Sequence, residues 1–160
     1  MNTRRDMLND YHATTPFCEH EILVAAEDIL WRRLERQGEL KSPRDTEQFL
    51  RIRLGALQHE EFHCVFLDNR HRVIAIEKLF NGTIDGASVH PREVVRAALR
   101  HNAAAVIFGH NHPSGVAEPS SADRAITRQL RDALSLIAVR VLDHIVVGET
   151  TTSMAQRGLI

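Results

Sequence analysis

The chain has 160 residues, of which 43% are hydrophobic and 26% charged, as is typical of a soluble globular protein with one sizeable core. Its formal net charge is −1, so direct nucleic-acid binding has no support from charge, although charge alone neither requires nor excludes such a partner.

Cysteine usage and the lack of long apolar runs indicate the cellular compartment. Cys18 and Cys64 form no Cys-x-x-Cys pair or disulfide framework, which indicates a reducing environment and two small core residues. The first residues contain no apolar segment of a signal peptide, and no run is long enough to cross a bilayer. We therefore expect a cytoplasmic protein without membrane association.

The first third of the chain predicts helices. Residues 1 to about 15 show no hydrophobic period and predict a loose arm. From Phe17 to about Gln37, apolar residues recur at three- and four-residue steps, which predicts an amphipathic helix. Ser42 and Pro43 form a helix-start signal for a second helix that continues to about residue 58.

The remainder of the chain alternates between strand and helix patterns. The predicted elements are a hairpin of strands 62–67 and 73–80, an extended piece at 83–89, a helix at 93–101, a buried strand at 103–108, a loop at 109–119, a helix at 121–136 and strands at 139–147 and 152–160. This order predicts an α/β fold with one mixed β-sheet flanked by helices. We predict an N-terminal helical segment, residues 1–57, packed against a domain formed by residues 58–160.

The loop that follows the buried strand carries the most informative residues. His110 and His112 are two positions apart, so in an extended segment both side chains point to the same side and can bind one ion. Ser120 and Asp123 follow at the start of the next predicted helix. The pattern His-x-His-Pro-x6-Ser-x2-Asp offers two nitrogens and one oxygen to a zinc-like ion and leaves a fourth position for water, as in catalytic zinc sites.

Each part of this pattern also has a structural explanation. A single histidine at a strand end is usually structural, and a serine three residues before an acid is typical of a helix capping box. The metal-site hypothesis therefore depends on the combination of these residues. Hydrolysis also needs a carboxylate that moves a proton, for which Glu60 and Glu61 are the candidates. Strand alternation places only one of them on the face of the site.

Residues 58–160 resemble the RadC family, whose core is a JAMM (MPN-type) metalloprotease domain. The similar stretches are Glu60-Glu61-Phe62, Leu79-Phe80-Asn81-Gly82-Thr83-Ile84, His90-Pro91-Arg92-Glu93-Val94-Val95, Ala103-Ala104-Ala105-Val106, His110-Asn111-His112-Pro113-Ser114-Gly115, Pro119-Ser120 with Asp123, and Val141-Leu142-Asp143-His144. So many stretches in the same order make the resemblance specific.

The resemblance implies a role for each candidate residue. It implies that His110, His112 and Asp123 bind one zinc ion, that the upstream glutamate activates water, and that Ser120 stabilises the oxyanion. RadC-like chains show Glu-x-Phe at this position, which favours Glu60 over Glu61. The implied fold is a mixed sheet between helices, similar to the cytidine-deaminase-like architecture. The implied activity is hydrolysis of a peptide or isopeptide bond in a peptide or protein substrate.

The chain also departs from the family pattern. Full-length RadC proteins carry an N-terminal helix-hairpin-helix-like segment, and we expect this chain to have a shortened, different N-terminal region. The resemblance therefore does not imply for this chain a DNA-binding role carried by that segment. The alternative to an enzyme is a non-catalytic, metal-binding interaction module associated with DNA repair or replication. A nucleobase deaminase is disfavoured, because the His-x-Glu and Pro-Cys-x-x-Cys signatures are absent from the sequence.

Overall fold

The structure is a computed structural model that describes residues 18–36, 43–82 and 89–160. Within these ranges the chain forms helices and strands in the order α, α, β, β, α, β, α, β, β, which confirms the predicted order. The helices are α1 (Glu19–Arg36), α2 (Pro43–Leu54), α3 (Pro91–Arg100) and α4 (Ser121–Ser135). The strands are β1 (Glu61–Leu67), β2 (Val73–Asn81), β3 (Ala105–Asn111), β4 (Arg140–Val147) and β5 (Thr151–Ser153).

The strands form one mixed sheet in the order β2-β1-β3-β4-β5. Among the described strands, only β3 and β4 pair in parallel, because α4 connects them as a crossover, and the other neighbouring strands are antiparallel. β3 lies at the centre of the sheet, and all of its residues are buried. The predicted α/β fold with a mixed sheet flanked by helices is therefore confirmed.

Helices cover both faces of the sheet, so the strands contribute to two hydrophobic clusters. Alternate residues of β1 and β3 point to opposite faces, as the two-residue period of a strand requires. One cluster lies under α3 and α4 and includes Phe62, Phe66, Phe108, Leu130 and Leu134. The other lies under α1 and α2 and includes Leu30, Phe49, Leu50, Leu54, Val65, Ile107 and Ile145.

Several predicted boundaries differ from the structure. The second helix ends at Leu54 rather than near residue 58, and the terminal strand covers only Thr151–Ser153 rather than 152–160. β3 continues to Asn111, so His110 lies in a strand and not in the predicted loop. The strand continues because β1 and β4 both pair with it as far as His110. The extended piece predicted at 83–89 and the arm predicted at 1–15 lie largely or wholly outside the described residues.

The described helices are too short or too polar to cross a membrane. The predicted boundary between residues 57 and 58 falls just before β1 and remains a prediction. The two N-terminal helices share one hydrophobic cluster with the sheet, which agrees with the expectation that they pack against it.

Candidate metal centre

The first candidate ligand, His110, is fixed by the central strand. Strand alternation places it on the same face as Phe108, under α4, and its side chain is fully buried. Gly109 points to the opposite face, where a Cβ atom would lie 2.6 Å from Cδ1 of Leu50. A glycine at this position therefore allows α2 to approach β3 closely directly behind the candidate site.

His112 follows β3 immediately and is fixed by its backbone and its ring. Its backbone N–H donates to the carbonyl of Val147 at 2.8 Å, which continues the alignment with β4. Its Nδ1–H donates to the carbonyl of Val116, also at 2.8 Å. Because a carbonyl can only accept, Nδ1 of a neutral His112 carries the hydrogen and Nε2 has a free electron pair.

Asp123 enters the site from the first turn of α4. Ser120 is the N-cap of this helix, and the two residues form a reciprocal capping box. The Asp123 carboxylate accepts the backbone N–H of Ser120 at 2.6 Å, and Ser120 Oγ accepts the backbone N–H of Asp123 at 3.1 Å. The structural explanation for Ser-x-x-Asp is thus correct, and the same hydrogen bonds position the buried carboxylate beside the histidines.

The three candidate ligands converge on one point. His110 Nε2 lies 2.9 Å from His112 Nε2, and the two nitrogens lie 3.2 and 3.4 Å from oxygens of Asp123. One ligand atom from each residue fits within a mutual separation of 4.8 Å. Two imidazole nitrogens and a carboxylate oxygen are a donor set that zinc prefers. The structure therefore brings together His110, His112 and Asp123 as residues able to hold a metal ion, as the sequence predicted.

Charges and burial shift the protonation equilibria of this cluster. Burial favours the neutral form of Asp123, but hydrogen bonds and charge from His110 and His112 outweigh it and lower the pKa of the carboxyl. The hydrogen bond to Asp123 raises the pKa of His112, and the charge of Glu60 acts in the same direction. Asp123 is thus ionised in the folded protein, which suits binding of a cation.

The two candidate glutamates lie in different environments. Glu61 accepts hydrogen bonds from His63, His59 and Lys78 at 2.8, 3.0 and 3.2 Å. Burial opposes ionisation of Glu61, but these bonds lower its pKa to about 2. Its carboxylate therefore belongs to a separate polar cluster beside His63, on the sheet face opposite the metal ligands.

Glu60 precedes β1, and extending the strand alternation by one residue places it on the face of Phe62, which stacks on His110. Its backbone is held on both sides by Asn111: the side-chain Nδ2 donates to His59 O at 2.9 Å, and Oδ1 accepts the N–H of Glu61 at 2.8 Å. Gly82 N–H also donates to the carbonyl of Glu60 at 2.9 Å. These bonds fix the segment that carries Glu60 to the end of β3.

Three further residues support the site, and the sequence alone did not establish their roles. Asn111 links β3 to the segment around Glu60, and His144 and Thr127 are fully buried behind His110. Burial lowers the pKa of His144 well below its usual value. The sequence offered one indication of such a role, which is the histidine at position 144 inside the apolar predicted strand 139–147. Only the parallel pairing of β3 with β4 places it beside His110.

Comparisons with known proteins agree with this architecture. A family model described as a RadC-like JAB domain matches residues 40–159. The chain belongs to the RadC family. The resemblance inferred from the sequence is thereby confirmed, and the RadC match also includes the helix α2.

Curated relatives of this RadC-family chain have the name UPF0758 protein. One from Thioalkalivibrio sulfidiphilus is 67% identical over 127 residues, which are 79% of this chain and 57% of that protein. Two from Vibrio cholerae serotype O1 are 54% and 51% identical over 88% and 94% of this chain, and 89% and 96% of their own lengths. The chain thus spans little more than half of the first relative and most of the other two.

Proposed function

We propose that this protein is a zinc-dependent hydrolase that cleaves a peptide or isopeptide bond in a peptide or protein substrate. The observation that carries the proposal is the convergence of His110, His112 and Asp123 within 4.8 Å of one another. A zinc ion held by three such ligands acidifies a water molecule and polarises a carbonyl group. Membership of the RadC family, whose JAB domain resembles metalloprotease domains, supports the same activity.

Glu60 is the proposed proton-transfer group. Its segment is fixed to the end of β3 through Asn111, and its charge acts on His112. In the proposed reaction Glu60 accepts a proton from the attacking water and donates it to the nitrogen of the leaving amine. Water adds across the amide, so that one carboxyl and one amine form and Glu60 returns to its starting state.

Ser120 is the proposed oxyanion-stabilising group. Its Oγ accepts one hydrogen bond in the capping box, and a hydroxyl that accepts still has its own hydrogen to donate. The capping role and the proposed catalytic role are therefore compatible. In the reaction, the hydroxyl donates to the oxygen that becomes negatively charged when water attacks the carbonyl carbon.

Metal analysis of the purified, unchelated protein tests the first part of the proposal. We expect about one zinc ion per chain, as in a catalytic site with three protein ligands. His112→Ala and Asp123→Ala should lose the ion, because each removes one of the three ligands. A wild-type protein without a stoichiometric divalent ion would contradict the proposal.

Cleavage of a peptide library with and without a chelator tests the second part. Glu60→Gln and Glu61→Gln are a matched pair of neighbouring substitutions on opposite faces. Glu60→Gln should keep the metal and lower turnover by roughly 100- to 10,000-fold, the usual contribution of general acid–base catalysis. Glu61→Gln should keep both the bound metal and the turnover rate. A metal-loaded wild-type protein that cleaves nothing would favour the alternative, a non-catalytic metal-binding interaction module associated with DNA repair or replication.

A further inference from the structure

Two fully buried residues, Thr127 in α4 and His144 in β4, continue the hydrogen-bond network behind His110. Thr127 Oγ1 lies 2.5 Å from the carbonyl oxygen of Asp123 and 2.6 Å from His144 Nδ1. His144 Nε2 lies 2.8 Å from His110 Nδ1. Through Thr127 and His144, these contacts join the backbone of Asp123 to the ring of His110. The proposed mechanism gives neither Thr127 nor His144 a role.

The hydrogen positions in this network follow from the first contact. Two oxygens 2.5 Å apart need a hydrogen between them, and a carbonyl cannot donate, so the Thr127 hydroxyl must donate to Asp123 O. Met154 Sδ, at 3.8 Å from Thr127 Oγ1, is a much weaker acceptor. The Thr127 hydroxyl hydrogen is therefore used in the bond to Asp123 O. Towards His144, Thr127 Oγ1 can only accept a hydrogen bond.

The position of the Thr127 hydrogen then determines the tautomers of His144 and His110. His144 Nδ1 must carry the hydrogen that it donates to Thr127, which leaves Nε2 of the neutral ring as an acceptor. His110 Nδ1 must therefore donate to His144 Nε2. A neutral His110 then has no hydrogen on Nε2, the nitrogen that faces His112 and Asp123. Only the protonated ring, which carries a hydrogen on both nitrogens, donates to Asp123 and acts on its pKa.

We propose that Thr127 and His144 are positioning residues that hold His110 in the Nδ1–H tautomer and so keep its Nε2 electron pair available to the metal. The role in metal binding rests on the proposed function, whereas the tautomer is a property of the metal-free protein. One turn of α4 thus supplies both Asp123, a ligand, and Thr127, which sets the tautomer of a ligand on β3. Outer partners that orient metal-bound histidines commonly alter metal affinity when they are removed.

Nitrogen NMR of the histidine rings in the metal-free protein tests the assignment directly, at a pH well above the ordinary histidine value of about 6.5. The wild-type protein should show Nδ1–H tautomers for both His110 and His144. An Nε2–H tautomer at His110 would overturn the proposal, and this measurement needs no variant that has to fold.

Thr127→Val tests the origin of the preference, because it keeps the shape of the side chain and removes the oxygen. His144 should then shift towards Nε2–H and donate to His110, which places a hydrogen on His110 Nε2. Zinc affinity, measured by competition with a chromogenic chelator, should fall roughly 10- to 100-fold. Thr127→Ser should retain the wild-type tautomers and affinity.

Thr46→Val is the matched control. Thr46 is also a buried helical threonine, and its hydroxyl has no hydrogen-bond partner among the described residues. This variant should change neither the His110 tautomer nor zinc affinity. A Thr127→Val protein with unchanged tautomers would overturn the proposal. A wild-type protein with the expected tautomers but no stoichiometric zinc would support the assignment and contradict the proposed function.

Discussion

At the scale of single residues, Asp123 combines a capping interaction with a proposed role in metal binding, and substitutions can separate the two. Its carboxylate accepts the Ser120 N–H in the capping box and also faces both histidines. A capping interaction needs only an oxygen acceptor, whereas a zinc ligand of this kind needs the negative charge. The stability of α4 and the proposed binding of metal therefore depend on different properties of the same side chain.

Asp123→Asn and Asp123→Ala should consequently differ in stability but not in metal binding. Both variants should lose the ion. Asp123→Ala should also lower the free energy of unfolding of the metal-free protein by about 0.5–2 kcal/mol, the usual cost of a lost cap. Urea denaturation of chelated samples provides the comparison, and an Asn variant as unstable as the Ala variant would contradict the division of roles.

Glu61 should make part of the stability dependent on pH. Its pKa is about 2 in the folded protein, against 4.5 for a glutamate side chain without such partners, so the folded state favours the ionised form. The contribution is complete above the unfolded value and is lost as pH falls from about 4.5 to about 2.

The wild-type protein should therefore exceed Glu61→Gln in unfolding free energy by on the order of 1–3 kcal/mol at neutral pH. The difference should shrink through this pH window and vanish below it. Denaturant titrations of both proteins between neutral and acidic pH measure this effect. An advantage that persisted undiminished at the lowest pH would exclude ionisation of Glu61 as its cause.

At the scale of elements, the loop after His112 packs closely against the turn between β4 and β5. A Cβ atom on Gly148 would lie 2.3 Å from Gly115 O and 2.9 Å from Ala117 N. These are backbone atoms, which cannot rotate away as a side chain can. Glu149 N–H also donates to Gly115 O at 2.8 Å. The turn and the loop therefore set each other's position.

Gly148→Ala should displace this loop and, with it, His112. We expect a loss of about 1–3 kcal/mol in unfolding free energy, the usual cost of overpacking, together with weaker zinc binding. Thermal unfolding and chelator competition measure the two effects. An alanine variant with wild-type stability would show that the loop and the turn can separate without cost.

The sequence predicted the order and type of these elements well because hydrophobic periods are local properties. It misplaced the end of β3, since the polar residues His110 and Asn111 have no strand pattern and are kept in the strand by pairing with neighbours. The proximity of His110, His112 and Asp123 was predictable from spacing, but the network through Thr127 and His144 was not. That network exists only because β4 lies parallel to β3, a contact between residues distant in sequence.

At the scale of the whole molecule, the N-terminal helices complete the core of the sheet domain. The buried hydrophobic residues on the sheet face under α1 and α2 are Val65, Leu67, Ala105, Ile107, Ile145 and Val147. Polar contacts add to this packing: Arg51 donates to the carbonyl of Glu149, and Glu47 accepts from Thr151 and Gln156. The sheet domain therefore depends on the segment that precedes it for one of its two covered faces.

Deletion of residues 1–57 should leave an aggregation-prone product, because it exposes a contiguous apolar surface. Soluble yield and size-exclusion profiles of the 58–160 fragment and the full chain provide the comparison. The full chain should unfold in one transition detected equally by helix and by aromatic signals. A monomeric, cooperatively folded 58–160 fragment would contradict this interdependence.

The two thiols of the chain differ in burial, so the rate at which the buried thiol reacts reports on unfolding. Cys18 is exposed, so the prediction that it is a core residue was wrong, whereas Cys64 is fully buried in β1 and burial raises the pKa of its thiol. A thiol reagent should consume Cys18 at once and reach Cys64 only when the sheet opens. Since an ion that binds only the folded chain stabilises it by mass action, added zinc should slow the second reaction and leave the first unchanged.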